Sequence, residues 1–536
     1  MRAGYATHDV RAAEQALMAT VADGALMRRA AAGLAAVCAR LLGHAYGARV
    51  VVLAGTGDNG GDALFAGARL ARRGVRVTAI MTGDRLHEGG ARALRQAGGV
   101  LLGVAGPSGP AGAGGLAGMG GPAGAGGLAG AGGPADASSA AVRDAISGAD
   151  LVIDGILGIG GRGGLREPAA SMAGLVARAS DAGTVVVATD LPSGVDASTG
   201  ACAGAAIRAD VTVTFGVLKP GLLVDPGAAY AGVVELVDIG LRPYLTGPAA
   251  ASAMQAADIA ALLPAPGPES DKYRRGVLGV VAGSEQYTGA AVLSVGSAIR
   301  GGAGMVRLVC AAKAADVVRQ HWPEAVITVI DPARPAASVE SAGRVQAWVA
   351  GPGMGTGPDA VAVLAAVLAT PLPVLVDADG LTVLSGHRDL FARPAGAMTL
   401  ITPHAGELAR LSNADRADIE AHRLEAARRT AAEFGVTVLL KGSTTVVATP
   451  DPAQPVLVNP TGTPWLATAG SGDVLSGLAG ALLAQGVLPV QSAAAVAAYL
   501  HGLAGRLAAR GAPVSAGDVL STIPAAIRSM TAIDGG

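Results

Sequence analysis

The sequence predicts an α/β chain with two parallel-sheet domains in tandem, and three observations lead there. Short apolar runs alternate with helical stretches in both halves, the pattern of a mostly parallel sheet covered on both faces. Two loops rich in glycine and aspartate each follow a strand-like run and open a helix-like one, more than 400 residues apart: Gly55-Thr56-Gly57-Asp58-Asn59-Gly60-Gly61-Asp62 and Ala469-Gly470-Ser471-Gly472-Asp473. At 536 residues the chain is also too long for one ordinary core, so two large domains of roughly 100 to 250 residues fit best.

Taken in order, an alanine-rich amphipathic opening spans about residues 8–43. The apolar run 49–54, the first glycine loop, a helix over about 62–73 and the run 75–81 form a strand, turn, helix, strand unit. Runs at 151–153, 184–189 and 211–215 extend the sheet. Between them, from about 103 to 137, the pattern gives way to Gly, Ala and Pro, and residues 109–120 recur as 121–132 with Ala131 in place of Met119. So few bulky side chains cannot offset the entropy of ordering, and the segment reads as a flexible insertion in a surface loop. A Pro/Ala/Gly-rich stretch at 246–268 reads as a linker between domains 1–245 and 269–536. Beyond it, runs at 276–282, 305–310, 347–350, 374–376, 399–401 and 436–440 alternate with helices, and two helices around 472–485 and 491–510 close the chain.

Charge and cysteine content exclude several classes. The net charge is -1 with 15% charged residues and no basic stripe, so the electrostatic footprint of a nucleic-acid binder is missing. Cys38, Cys202 and Cys310 are few and far apart, which argues against a disulfide framework or structural zinc and fits a reducing cytoplasm. Arg2, His8, Asp9, Arg11 and Glu14 occupy the start of the chain, so no secretory signal is read and a cytoplasmic location is expected. Residues 474–500 carry no charge, but Gly477, Gly480, Gln485, Gly486, Pro489 and Gln491 interrupt them; two buried helices joined near 488–489 are expected, and no membrane span. The partners expected are small molecules, and association into a homo-oligomer stays open, since symmetry leaves no sequence mark.

The first glycine loop lacks the spacing of the dinucleotide fingerprint. Two further loops follow strands and belong with it at the carboxyl ends of an open sheet: Asp154-Gly155-Ile156-Leu157-Gly158-Ile159-Gly160-Gly161-Arg162-Gly163-Gly164, and Asp190-Leu191-Pro192-Ser193-Gly194-Val195-Asp196. Taken singly, each is explained by glycine turns and helix-capping aspartates. Taken together, Asn59, Asp154 and Ser193 offer hard oxygens suited to an alkali or alkaline-earth cation, with Asp190 as a proton-transfer group beside it.

The strings Asn59-Gly60-Gly61-Asp62, Asp154-Gly155-Ile156-Leu157-Gly158 and Asp190-Leu191-Pro192-Ser193-Gly194 resemble the epimerase domain of the NAD(P)H-hydrate repair enzymes, which is a Rossmann-like three-layer domain. Asp58 and Ala63 stand where members commonly carry Asn and Gly. The resemblance implies interconversion of the R and S hydrates of NADH and NADPH. It implies potassium at Asn59, Asp154 and Ser193, and substrate against Asp58, Asn59, Gly60, Gly61, Asp62, Gly158, Ile159, Gly160, Gly161, Arg162, Gly163, Gly164 and Asp190.

In the second constellation Gly470-Ser471-Gly472-Asp473 opens a helix. The N–H groups of Ser471 and Gly472 can hold charge on a transferring phosphoryl group while Asp473 accepts the proton of an attacking hydroxyl. The plainer reading is an aspartate favoured by the dipole of a first helical turn. Upstream, Lys441-Gly442-Ser443-Thr444-Thr445 follows a strand-like run and supplies a cation and hydroxyls without being a P-loop. This order resembles the ribokinase-like fold, in which that aspartate is the catalytic base.

Lys272-Tyr273, Gly283-Ser284, Thr288-Gly289-Ala290, Gly302-Ala303-Gly304, Gly351-Pro352-Gly353-Met354-Gly355, Asp377-Ala378-Asp379-Gly380 and Thr402-Pro403-His404-Ala405-Gly406-Glu407 narrow it. As a set they resemble the ADP- or ATP-dependent NAD(P)H-hydrate dehydratase, which phosphorylates the hydroxyl of the S hydrate and eliminates phosphate. The resemblance implies that Ala290, Gly353, His404 and Asp473 contact the hydrate. It implies that Lys441, Gly442, Ser443, Thr444, Thr445 and Gly472 contact ADP or ATP, with magnesium present. Asp377 and Asp379 either influence magnesium or simply stand in exposed turns. The rival reading is a ribokinase-like vitamin or small-molecule kinase fused to a non-catalytic ligand-binding module, which would release a stable phosphorylated product.

Overall fold

The computed structural model describes residues 1–83, 85–103 and 140–531. Nearly all of the insertion expected at about 103–137 lies outside them. The chain forms two compact units, Tyr5–Gly247, and Met1–Gly4 together with Pro248–Gly536. The first strand, β1 (Arg2–Gly4), therefore belongs to the second unit.

The first unit holds β2 (Arg49–Ala54), β3 (Arg76–Met81), β4 (Val100–Leu102), β5 (Leu151–Gly155), β6 (Val185–Thr189), β7 (Val211–Phe215) and β8 (Val233–Val237). They pair in parallel in the order β4-β3-β2-β5-β6-β7-β8. Period-two alternation divides β2, β5 and β6 between two cores. Val50 and Val52 join Leu151, Ile153 and Val187 on one face, with α1 (Thr7–Met18), α2 (Ala25–Leu42) and α3 (Asp58–Ala71). Val51 and Leu53 join Val152, Val186 and Ala188 on the other, under helices Ala140–Ser147 and Ala169–Asp181. This is the expected three-layer arrangement. Strand order reverses between β2 and β5, and ligands gather at such a crevice in open α/β sheets.

The second unit holds β1 with β9 (Ala251–Ala253), β10 (Val277–Val281), β11 (Met305–Cys310), β12 (Val326–Val329), β13 (Ala347–Ala350), β14 (Val374–Val376), β15 (Thr399–Ile401), β16 (Thr437–Leu440), β17 (Thr445–Ala448) and β18 (Val456–Asn459). Their order is β1-β9-β18-β17-β16-β15-β14-β13-β10-β11-β12. The stretch β10 to β16 is parallel, whereas β17 is antiparallel to both β16 and β18.

Two expectations change here. Residues 251–262, read as linker, are built into this unit as β9 and helix Ala256–Leu262; Ala251 to Ala253 are buried between β1 and β18. Their alanines looked like linker but fit a crowded sheet position. The chain also closes with three helices, because Ala516–Thr531 follows Ser471–Gln485 and Val490–Ala509 and carries Pro524 inside it. Those three helices cover one face of the sheet in a shared apolar core. Residues 474–500 fall into two of them, and among the described residues no helix is long and apolar enough to cross a membrane.

Candidate active sites

In the first unit the loops after β2, β5, β6 and β7 converge. A Cβ on Gly55 would stand 1.9 Å from the carbonyl oxygen of Ile156, so only glycine lets these two loops touch. Helix α3 begins at Asp58, not near Asp62 as expected, which puts residues 58–62 in its first turns. There free N–H groups and the helix dipole favour an anionic ligand. Asn59 is buried and donates Nδ2 to the Leu157 carbonyl at 2.9 Å.

Asp154, fully buried, accepts from Ser193 N (2.8 Å), Ser193 Oγ (2.6 Å) and Ile156 N (3.2 Å). Burial pushes its carboxyl up to about 6, against these hydrogen bonds. Asn59, Asp154 and Ser193 thus share one oxygen-rich cluster around Leu157, whose N–H donates to Ser193 Oγ at 2.9 Å. Among the described residues no group of three or more His, Cys, Asp or Glu side chains could hold a metal. The donors are one carboxylate with neutral oxygens, a set that suits a singly charged hard cation.

Asp190 lies in the left-handed region at φ 65°, a strained conformation for a non-glycine residue that recurs at functional sites. Its Oδ1 accepts from Lys219 Nζ, Thr214 Oγ1 (3.1 Å) and Phe215 N (3.2 Å). Lys219 is fully buried and also donates to Thr214 Oγ1 and to the Phe215 carbonyl. The sequence reading passed over Lys219. Its signal was a lone charge inside the apolar run 211–224.

Helix α1 supplies two more missed residues. Glu14 is raised by burial and by Asp190 and Asp58, against Lys219, and Arg11 reaches the Ile159 carbonyl at 3.4 Å. The 158–164 loop starts near Asn59 at Gly158 and runs away to Gly204 at Gly164, with Arg162 and Gly163 exposed.

In the second unit Gly283, after β10, donates to the Pro352 carbonyl after β13 at 2.9 Å, joining the loops where strand order reverses. Gly353 has φ 60°, and a Cβ there would fall 2.8 Å from the Ala290 methyl and 2.9 Å from Tyr287 Cβ. Ala290 and Gly353 therefore line one spot.

After β14, Ala378 takes φ 48°, ψ -118° and holds Asp377 and Asp379 on either side. Asp377 is 1% exposed rather than in an open turn. Its Oδ1 accepts from Lys441 Nζ (2.7 Å) and its Oδ2 from Ser476 Oγ (2.6 Å). Lys441 also lies 3.8 Å from Glu407. Burial pulls the ammonium pKa down, but Asp377, Glu407 and Asp473 outweigh it and the pKa is raised.

Gly472 faces this pair: its absent Cβ would be 3.4 Å from Lys441 Nζ. Asp473, one residue on in the first turn of Ser471–Gln485, is pushed up to about 7 by burial first and then by Asp377, with Lys441 opposing. His404 caps helix Ala405–Ser412, with Nδ1 accepting from Gly406 N (3.0 Å) and Glu407 N (3.3 Å), and its side chain is 56% exposed. Gly442 and Ser443 are exposed in the loop, Thr444 is buried, and Thr445 begins β17 opposite Asn459.

Comparison with known proteins meets this geometry. A family model described as "YjeF-related protein N-terminus" matches residues 23–103 and 128–221, and one described as "NAD(P)H-hydrate dehydratase" matches 278–525. The "Bifunctional NAD(P)H-hydrate repair enzyme Nnr" of Mycobacterium leprae is 45% identical over 99% of this chain and 100% of its own. The protein of that name from Mycobacterium tuberculosis (strain H37Rv) is 46% identical over 92% of each. This chain belongs to the bifunctional NAD(P)H-hydrate repair enzymes. A solved ADP/ATP-dependent NAD(P)H-hydrate dehydratase from Bacillus subtilis, co-crystallised with ATP/Mg2+, is 27% identical, covers 52% of this chain and 97% of that one, and has a TM-score of 0.46.

Both departures from the repair-enzyme pattern fit the fold. Ala63 is buried with its methyl 2.5 Å from where a Cβ on Gly155 would lie, a place with room for one methyl only. Asp58 is exposed in the first turn of α3.

Proposed function

We propose that the first unit interconverts the R and S hydrates of NADH and NADPH, and that the second dehydrates the S hydrate to NAD(P)H using ADP or ATP through a phosphorylated intermediate. The observation that carries this reading is Asp473: a carboxyl raised to about 7 at a helix start, beside Lys441 and Asp377. A base with a pKa near the working pH suits removal of a hydroxyl proton. That hydroxyl then attacks the terminal phosphoryl group, whose charge meets the N–H groups of the helix start and Lys441. Phosphate leaves far more readily than hydroxide, and its loss restores the ring double bond.

Magnesium, brought with the nucleotide, would supply positive charge to the phosphates. Asp377 is committed through both oxygens to Lys441 and Ser476, whereas Asp379 is bonded through Oδ2 to Gly355 N and keeps Oδ1 for the ion. In the first unit Asn59, Asp154 and Ser193 would hold potassium, which supplies a fixed positive charge near the substrate. Asp190, oriented by Lys219, is the base.

The test is recovery of NADPH absorbance from mixed R and S NADPH-hydrate with magnesium, potassium and ADP or ATP. Wild type converts both epimers. Asp473→Ala recovers none, and Asp190→Ala recovers the R half only at the spontaneous rate. A stable phosphorylated product, or no nucleotide-dependent recovery, contradicts the reading.

A further inference from the structure

Asp190 and Lys219 provide one direction of proton transfer, yet inversion at the hydrate carbon needs two. That carbon carries a hydroxyl and the ring nitrogen. In the opening step the hydroxyl proton passes to a base, a C=O bond forms, and the C–N bond breaks with its electron pair going to nitrogen, which takes a proton from an acid. Rotation about the neighbouring C–C bond and reclosure on the other face return both protons. Atoms and electrons balance without a co-reactant.

We infer that Asp62 is the proton donor of this epimerisation, working with Asp190 as base. The inference rests on the epimerase reading above. Asp62 sits on α3, one turn after Asp58, at the crevice between β2 and β5. Its Oδ1 is closed off from solvent and has no hydrogen-bond partner among the described residues.

Three carboxyl groups act on it: Asp58 from its own helix, Glu14 from α1 and Asp190 from the loop after β6. Of the cations here, Lys219 is committed to Asp190, Thr214 and the Phe215 carbonyl, and Arg11 reaches the Ile159 carbonyl. His87 lies beside Gly61, with its ring 3.0 Å from that residue's absent Cβ, but its Nδ1 accepts from Gly90 N and its edge rests on Phe65. A carboxylate in this position would keep one oxygen closed off and unpartnered, with three other carboxyls near it. The neutral acid is the form the site accommodates, and burial with these neighbours raises its pKa well above the ordinary carboxyl value. Opposed environments for two carboxyls are a general way to assign acid and base.

The test follows R-to-S interconversion directly by separating the epimers, at fixed potassium and without nucleotide, so that dehydration is silent. Wild type should lose rate on the alkaline side as Asp62 ionises. Asp62→Asn should lower kcat about 100-fold or more, with KM within threefold, no alkaline limb in the residual rate, and an unfolding midpoint no lower than wild type. Asp62→Glu should restore part of the rate and the limb. An Asp62→Asn protein within threefold of wild-type kcat, or one defective only in KM, overturns the inference while a dead Asp190→Ala leaves the epimerase reading standing. Wild-type epimerisation by Asp190→Ala would overturn the reading itself.

Discussion

Each unit places a lysine–aspartate pair at the carboxyl ends of its parallel strands, but the two pairs do different things. In the first, Lys219 binds Asp190, the proposed base, with side chains 2% and 11% exposed. In the second, Lys441 binds Asp377, with side chains 19% and 1% exposed, and leaves Asp473 beside the pair without a cation of its own. One ion pair holds a carboxylate ready. The other supplies a negative neighbour that, with burial, moves a second carboxyl to about 7. The same device thus either fixes a base or tunes one, depending on which carboxyl the lysine takes.

Removing each key group should separate the two roles. Asp473→Ala should slow nucleotide-dependent dehydration by about 1,000-fold and leave R/S interconversion unchanged, read by chromatography of both epimers. Lys219→Met should slow interconversion about 100-fold. Leaving Asp190 buried and unpaired should also cost about 3 kcal/mol of stability in denaturant unfolding.

The pH dependence sharpens the contrast. As the proposed base, Asp473 would act ionised, so dehydration should fall about tenfold per unit as pH drops below about 7. Stability runs the other way. Because the folded pKa lies above the unfolded one, ionising Asp473 disfavours the fold, and Asp473→Asn should raise the unfolding midpoint more at pH 8 than at pH 5. The smallest effect is expected from Ser193→Ala, which deletes the 2.6 Å bond to Asp154. About 1 to 3 kcal/mol of local stability should appear as a several-fold higher potassium requirement, measured by titrating interconversion.

What was legible in the sequence follows physical length scale. Strands such as β2 and β13 are mainly apolar runs followed by glycine, and their parallel sheet buries them on both faces. β1 (Arg-Ala-Gly) and β9 (Ala-Ser-Ala) are short and carry no bulky apolar side chain, whereas β14 and β15, equally short, are Val-Leu-Val and Thr-Leu-Ile and stand out. The start of α3 at Asp58 was hidden by Gly60 and Gly61, poor helix formers tolerated in a first turn where loops crowd. Helix Ala516–Thr531 was hidden by Pro524. Asn59, Asp154, Ser193, Gly472 and Asp473 stood in glycine-rich strings, while Lys219 is 29 residues from Asp190 and Ser476 is 99 from Asp377. Pairings at such separations exist only once the sheet has formed. His404, which the resemblance implies as a hydrate contact, caps its helix together with Glu407 three residues on, a role its residue type did not signal.

The most direct test of two separate proton-transfer sites uses pure R hydrate and the two single-site variants, alone and mixed. The account predicts that Asp473→Ala alone yields no NADPH, that Asp190→Ala alone yields it only at the spontaneous epimerisation rate, and that the mixture with nucleotide recovers fast conversion. Fast conversion of R hydrate by either variant alone would contradict it.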